Sequence, residues 1–326
     1  MRYLRAMCSL AAAFAALVLA PLVACAQDWP SKPIRLVVTF APGGSSDVVA
    51  RAIAAPLQAK LGQPVVVENK PGASGSIGAA DIARATADGY SLLKSNTTPI
   101  SLAPVMLDTP TYDPLKAFTH VSLVATVSDV IMVHPSVPAK TVPELIAWIK
   151  AKNDTVFYGS GGIGSIGHIL GETFRKEHDL KIEHVGYRGS SPMILDLIGG
   201  RLSFSFDTLP QNVPHIKSEK LRPLAVTSRT RAALMPDLPT VVELNMPSLV
   251  AENFIGVSAP AGLPEPILKK LHGAIQESLA DPQFVQRLGE LGLAIRPMSQ
   301  PDFVKFVTDQ VTAWAPAVKA FGAKLN

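Results

Sequence analysis

The chain has 326 residues, with 30 Lys+Arg against 26 Asp+Glu, 48% hydrophobic residues and 17% charged ones. That much apolar side chain excludes intrinsic disorder, and the length suits about two domains. The 2 cysteines are Cys8 and Cys25, so the body of the chain holds no disulfide framework, zinc ribbon or catalytic thiol.

The first segment reads as an export signal. Arg2 and Arg5 precede an apolar run from Met7 to Ala26, which ends in Ala24-Cys25-Ala26, the small-x-small pattern of a signal-peptidase site. Cleavage after Ala26 removes two arginines and no acids, lowering the net charge from +4 to +2. Leu22-Val23-Ala24-Cys25 also fits a lipobox that would lipidate Cys25, and an uncleaved anchor is a third reading. The expected compartment is the periplasm. No Lys/Arg cluster marks a nucleic-acid surface. No later apolar run reaches the roughly 18 residues of a membrane span.

After Ser31, short apolar runs each end in a Gly/Ser/Pro loop that opens a helix. Ile34–Phe40 reads as a buried strand, followed by Ala41-Pro42-Gly43-Gly44-Ser45-Ser46-Asp47 and a helix to about Leu61. Val65–Glu68 is the next strand, its loop running from Asn69 through Gly75 to Ser76, with a helix from Ile77 to about Thr86. Tyr90–Lys94 is a third strand, ending at Ser95-Asn96-Thr97-Thr98. The pattern restarts with a helix over Val142–Lys150, the strand Val156–Tyr158, the loop Gly159–Ser165 and a helix over Ile166–Lys176. Ile182–Val185 then leads into Gly186–Pro192 and a helix to Ile198, while Leu202–Phe206 ends at Asp207-Thr208 and Leu221–Val226 at Thr227-Ser228. Continuous apolar strands alternating with helices predict an α/β fold, each lobe a mostly parallel sheet flanked by helices.

Two strand-like stretches read as connectors, His120–His134, interrupted at Ser128-Asp129, and Asn253–Pro260. Amphipathic helices over Pro266–Ala280 and Pro301–Ala320 are expected to pack back on the first lobe. The predicted organisation is therefore a discontinuous lobe 1 (27–126 and 252–326) around lobe 2 (127–251), with two crossovers acting as a hinge.

Ligands of open α/β sheets bind at the carboxyl ends of strands, where helix N-termini present unpaired N–H groups. Gly43-Gly44-Ser45-Ser46, Gly75-Ser76, Gly161–Ser165 (with Gly162) and Gly189-Ser190-Ser191 all suit an anionic group, or serve as capped turns. Asp47 fits an N-cap or first-turn acid. Asp207 suits a ligand amine or hydroxyl, or a structural role on the backbone. Arg188 suits a bidentate carboxylate contact or a solvated loop. His168 either reaches the cleft or packs as a capping histidine.

Catalytic signatures are weak. Gly159-Ser160-Gly161-Gly162-Ile163-Gly164 matches G-x-G-x-x-G, which makes an NAD(P)-dependent oxidoreductase an alternative. However, Glu183 lies inside the next strand rather than at its end. P-loop, G-x-S-x-G and H-E-x-x-H patterns do not occur in the sequence. No cofactor or metal is called for.

Several segments together resemble the Bug-type receptors, the extracytoplasmic solute-binding proteins of tripartite tricarboxylate transporters. They include Trp29-Pro-Ser-Lys-Pro-Ile-Arg35, Phe40-Ala-Pro-Gly-Gly-Ser-Ser-Asp47, Leu61-Gly-Gln-Pro-Val-Val-Val-Glu-Asn-Lys-Pro-Gly-Ala73 and Asp88-Gly-Tyr90. Further on come Tyr158-Gly-Ser160, Tyr187-Arg-Gly189, His215-Ile-Lys217, Leu224-Ala-Val-Thr-Ser228 and Leu238-Pro-Thr-Val241. The resemblance implies a two-lobed, hinge-closing periplasmic binding protein (a Venus flytrap architecture) that captures a small organic acid. It further implies delivery to membrane permease subunits, with a membrane sensor kinase as the alternative partner. The implied ligand contacts are Ala41–Ser46, Gly75 and Ser76 in the first lobe, and Ser160–Ser165 and Asp207 in the second. Four features depart from the family pattern: Thr39, Gly186, the Thr98-Pro-Ile100 loop, and Asp129 at a crossover position that is normally uncharged.

Overall fold

The computed structural model describes residues 29–321. The export signal and the Cys25 lipobox reading lie outside the described residues.

Strand β1 (Ile34–Val38) is buried over four of its five residues, as a run of Ile, Leu and Val without polar alternation requires. It lies between β2 (Val65–Asn69) and β3 (Ser91–Asn96), parallel to both. Its residues divide between two cores by the period of two. Ile34, Leu36 and Val38 face α1 (Ser45–Leu61), and Val37 faces α2 (Ser76–Ala83). Val49, Ile53, Leu57 and Leu61 of α1 form the facing stripe at a spacing of four. Gly62, at φ 71, closes that helix in the left-handed conformation.

β3 pairs antiparallel with β9 (Glu252–Pro260), which pairs antiparallel with β4 (Phe118–Val133). The far half of β4 then pairs antiparallel with β7 (Phe204–Thr208) and β8 (Arg222–Val226). β5 (Val156–Ser160) continues this second sheet parallel to both β7 and β6 (Ile182–Gly186). Helices α4 (Val142–Lys150), α5 (Ile166–His178), α6 (Ser190–Ile198) and α7 (Leu209–Lys217) cover it.

The expected interruption at Ser128-Asp129 does not occur, because β4 runs unbroken for 16 residues. What changes there is the partner. Ser128 pairs with Glu252 of β9, whereas Asp129 pairs with Thr208 of β7. The polar dipeptide thus marks a passage between sheets, and its backbone stays extended because pairing is maintained on both sides. The second passage is held to the first by Thr227, just past β8. Its Oγ1 accepts the Asp129 N–H at 3.0 Å and donates to the Ala251 carbonyl at 2.7 Å.

The C-terminal part holds α8 (Glu265–Leu279), α9 (Pro282–Glu290) and α10 (Gln300–Phe321), of which α9 was not anticipated. Asp281 caps α9 by accepting the Gln283 N–H at 2.9 Å, a Ser/Asp-type signal legible in the sequence. α10 serves both lobes. Phe303 and Val307 pack with Phe254 of β9, while Val318 joins the core under α4 and α5 with Trp314 against it. The segment around α3 (Ala103–Met106) does likewise, since Leu102, Ala103 and Met106 also belong to that second core.

Thr227→Val keeps the shape of the clip and removes its hydroxyl. It should cost about 1–3 kcal/mol in urea unfolding, because the buried Asp129 N–H loses its acceptor; an unchanged midpoint would count against the clip.

Candidate ligand-binding cleft

The first-lobe wall is the loop from β1 into α1. Gly44 is the N-cap, with φ −79 and ψ 169, and carries no side chain with which to cap the helix. Apart from the Asp47 N–H, which bonds back to the Gly44 carbonyl at 3.0 Å, the first-turn N–H groups of α1 have no side-chain cap. Asp47 fixes the loop from below, accepting the Gly43 N–H and Arg51 Nε at 3.1 Å each. Burial works to raise the carboxyl pKa of Asp47, but the bonds from Arg51 and Gly43 outweigh it and hold the group below its ordinary value. Its role is the first-turn acid read from the sequence. Beneath Ser46 lies Lys94 on β3, 1% exposed, with Nζ 3.1 Å from Ser46 Oγ.

The second-lobe wall is built on β5, β7 and their helices. Ser165 caps α5, and its hydroxyl also donates to Ser160 Oγ at 3.1 Å. Ser160 Oγ lies 2.7 Å from His184 Nε2, and His184 stacks on His168 with ring centroids 3.7 Å apart. His168 Nδ1 accepts the Gly164 N–H at 2.9 Å, which holds the glycine loop in place. Gly167 lets α5 sit on β7, since a Cβ there would meet the Phe206 carbonyl oxygen at 2.2 Å. At the end of β7, Asp207 accepts Ser190 Oγ at 2.6 Å and Asn212 Nδ2 at 2.9 Å. Burial raises the Asp207 carboxyl, against the bonds from Ser190, Asn212 and Thr208. Asp129 on β4 is also buried, its carboxyl pushed well above the usual range by desolvation and by the nearby Asp207 charge. No side-chain donor among the described residues meets the Asp129 carboxyl oxygens.

These walls enclose a cavity of about 60 Å³, room for only a few water-sized groups. The lobes touch around it. Ser74 Oγ donates to the Ile163 carbonyl across the gap. A Cβ on Gly189 would come within 3.7 Å of Ala41 Cβ. An outer recess of about 490 Å³ shares Phe40 and Gly161 with the inner cavity.

Of the first-lobe residues expected at the site, Ala41, Gly44, Ser46 and Asn96 line the inner cavity. In the second lobe, Gly161, Ser165 and Asp207 do. Gly75, Gly162 and Arg188 line the outer recess instead, with Arg188 exposed at its rim. Pro42 and Gly43 are exposed on the turn, and of Ser45 only the backbone, as first residue of α1, is described. Ser76 is buried at the start of α2 and lines neither space. Thr97 is occupied by β9, its N–H donating to Asn253 and its hydroxyl accepting the Phe254 N–H. Ser160 lies one layer behind the wall, and His168 is the packed, loop-holding histidine rather than a wall residue. Glu183, the acid a dinucleotide site would want at a strand end, is exposed within β6 opposite Phe157.

Asp129, Thr98, Thr208 and Asn253 complete the cavity but were not among the expected contacts. Asp129, Thr208 and Asn253 sit on strands at the lobe junction, where polar residues inside otherwise apolar strands were the available signal, and Thr98 opens the helical turn after β3. Burial lowers His168 to about 4 and His184 to about 3, from an ordinary 6.5. Both groups are less protonated folded than unfolded, so their contribution is present above pH 6.5 and is lost as pH falls towards 4. His120, lowered to about 4 by burial, acts in the same direction, and Asp129, being raised, acts in the opposite one. The double variant His168→Asn/His184→Asn should therefore lose less melting temperature than the parent between pH 7 and pH 5. Parallel curves would show that protonation of the stacked pair does not set the loss of stability towards acid pH.

Residues 49–323 match the family model described as tripartite tricarboxylate transporter family receptor. BugT of Bordetella pertussis is 36% identical over 303 residues, covering 92% of this chain and 93% of its own. A solved Rhodopseudomonas palustris protein with adipate, Rpa4515, is 33% identical with a TM-score of 0.87, covering 91% and 99% of the two chains. MatC from the same organism, with bound malate, is 27% identical with a TM-score of 0.83, covering 89% and 100%. With the two-lobed fold and the enclosed interlobe cleft, these matches establish that the chain belongs to the receptor family of the tripartite tricarboxylate transporters.

Proposed function

We propose that this protein is a periplasmic receptor that captures a small organic acid between lobe 1 (27–126 and 252–326) and lobe 2 (127–251), then delivers it to membrane permease subunits. The observation that carries this reading is the convergence of strand-end loops from both lobes on one enclosed space. The α1 and α6 N-termini there have glycine N-caps, Gly44 and Gly189, and no side-chain cap bond. Helix N-termini without side-chain caps supply directed N–H donors and positive potential to a carboxylate, worth up to about 2 kcal/mol each when partly buried. The adipate and malate held by similar proteins have that chemistry.

Closure follows from the same geometry. A ligand bonded to both walls stabilises the closed arrangement only by the difference between its affinities for the closed and open forms. The two-passage connection through Ser128-Asp129 and Ala251-Glu252 supports a hinge at these residues.

Calorimetry and thermal shift of the mature protein across mono-, di- and tricarboxylates test the reading. At least one small carboxylate is expected to bind and raise the melting temperature; a panel without a response would sink it. Gly161 has ordinary φ, and a Cβ there meets its nearest atoms at 3.5 Å or more. Gly161→Leu should therefore fold but project into the cavity, weakening that ligand at least ~10-fold, the equivalent of about 1.4 kcal/mol.

A further inference from the structure

The charges around the cleft are separated by sign, and this bears on the ligand. The inner cavity is lined by two acids, Asp129 and Asp207, and by no Lys, Arg or His. A plain dicarboxylate bound there would bring no cation to these two acids, which burial holds toward their neutral forms, and no lining cation is at hand for its second carboxylate.

The opposite charge stands behind the other wall. Lys94 is wholly buried on β3, and its hydrogen bond is to Ser46 Oγ, a cavity-lining group. Among the described residues neither Lys94 nor Asp129 forms an ion pair, although both are more than nine-tenths buried. Asp207 differs, being satisfied by Ser190 and Asn212. A buried ionisable group without a partner is costly, so Asp129, which lines the cavity, is an unmet demand there, while Lys94 stands behind the wall on Ser46.

Resting on the receptor reading above, we propose that the cleft takes a zwitterion of the amino-acid class, its carboxylate against Ser46, whose hydroxyl Lys94 meets from behind, and its ammonium against Asp129 and Asp207. The ammonium then supplies the cationic partner that Asp129 lacks, and the ligand's own charges cancel. A diacid brings no cation to Asp129, and a monoamine brings no anion to the Ser46 wall. Desolvation lowers the Lys94 ammonium to about 7 and raises the Asp129 carboxyl well above its ordinary range. An ammonium beside Asp129 favours its charged form.

Matched pairs separate this proposal from the reading it rests on. The mature protein would be titrated calorimetrically at pH 7.5 with L-aspartate against succinate, L-glutamate against glutarate, L-alanine against propionate, and L-phenylalanine against 3-phenylpropionate. The amino acid of the best-binding pair is expected to bind at least ~10-fold tighter than its deaminated partner. Asp129→Asn, which keeps the side-chain shape, should abolish that ratio, while Lys94→Met should weaken both members of the pair. Circular dichroism and melting of each variant report folding, and the wild-type ratio stands without them. Deaminated acids binding as tightly as the amino acids would overturn the zwitterion proposal and leave the receptor reading intact. An unchanged ratio in folded Asp129→Asn would overturn it too. No binding by any compound would overturn both.

Discussion

One extended strand carries the architecture. β4 belongs to the first sheet through β9 and to the second through β7 and β8, changing partners between Ser128 and Asp129. Buried backbone N–H and C=O groups must be paired, so a strand leaving one sheet has to enter another without a gap. Thr227 completes the passage by bridging the Asp129 N–H and the Ala251 carbonyl. The floor of the cleft is therefore a hydrogen-bonded junction. The loops that rise from it inherit their positions from two sheets sharing one strand.

The same junction accounts for the polarity of the site. The strands that meet there carry Asp129, Asp207, Thr208 and Asn253 among apolar neighbours, and all four face the cavity. The walls contribute mostly backbone and hydroxyl groups, held by a layer behind them: Asp47 under the α1 loop, and His168 with His184 under the Gly161–Ser165 loop. A site made of amides has little intrinsic preference among carboxylates. Discrimination then falls to the few ionisable groups at hand, Lys94 behind Ser46 and the two acids at the junction. The span of α10 across both cores, from Phe303 to Val318, adds a restraint, since any change in the angle between the lobes must be accommodated along that helix.

Much of this was legible in the residue order, element by element. β1 was read from an apolar run bounded by a glycine loop, because a strand covered on both faces needs apolar residues at every position; β2 and β6 showed shorter runs, as strands at the ends of the sheet with Val66 and Glu183 exposed. The helices opening at Ser45 and Ile166 followed from the same grammar. Less legible was α9, Pro282–Glu290, whose apolar residues Phe284, Val285 and Leu288 are sparse among glutamines and charges, unlike the apolar stripe of the equally short α4. Ser128-Asp129 was read as a break because polar residues usually end a buried strand. At a change of partner they do not. His168 and Ser160 resemble ligand contacts in sequence, since loop hydroxyls and imidazoles look alike whether they touch a solute or each other.

By itself, the sequence determined the α/β class and the alternation of strands and helices in two lobes, and it pointed to the strand-end loops that line the cleft. All of these depend on local periodicity and turn chemistry, which act over a few residues. The tertiary structure alone decided which loop residues face inward. It set Asp129 beside Asp207 across β4 and β7, sent Arg188 and Gly75 to an outer recess, and buried Lys94 beneath Ser46. Those outcomes turn on strand register and on how two lobes meet, and contacts between residues 48 or 78 positions apart leave no mark on either segment alone.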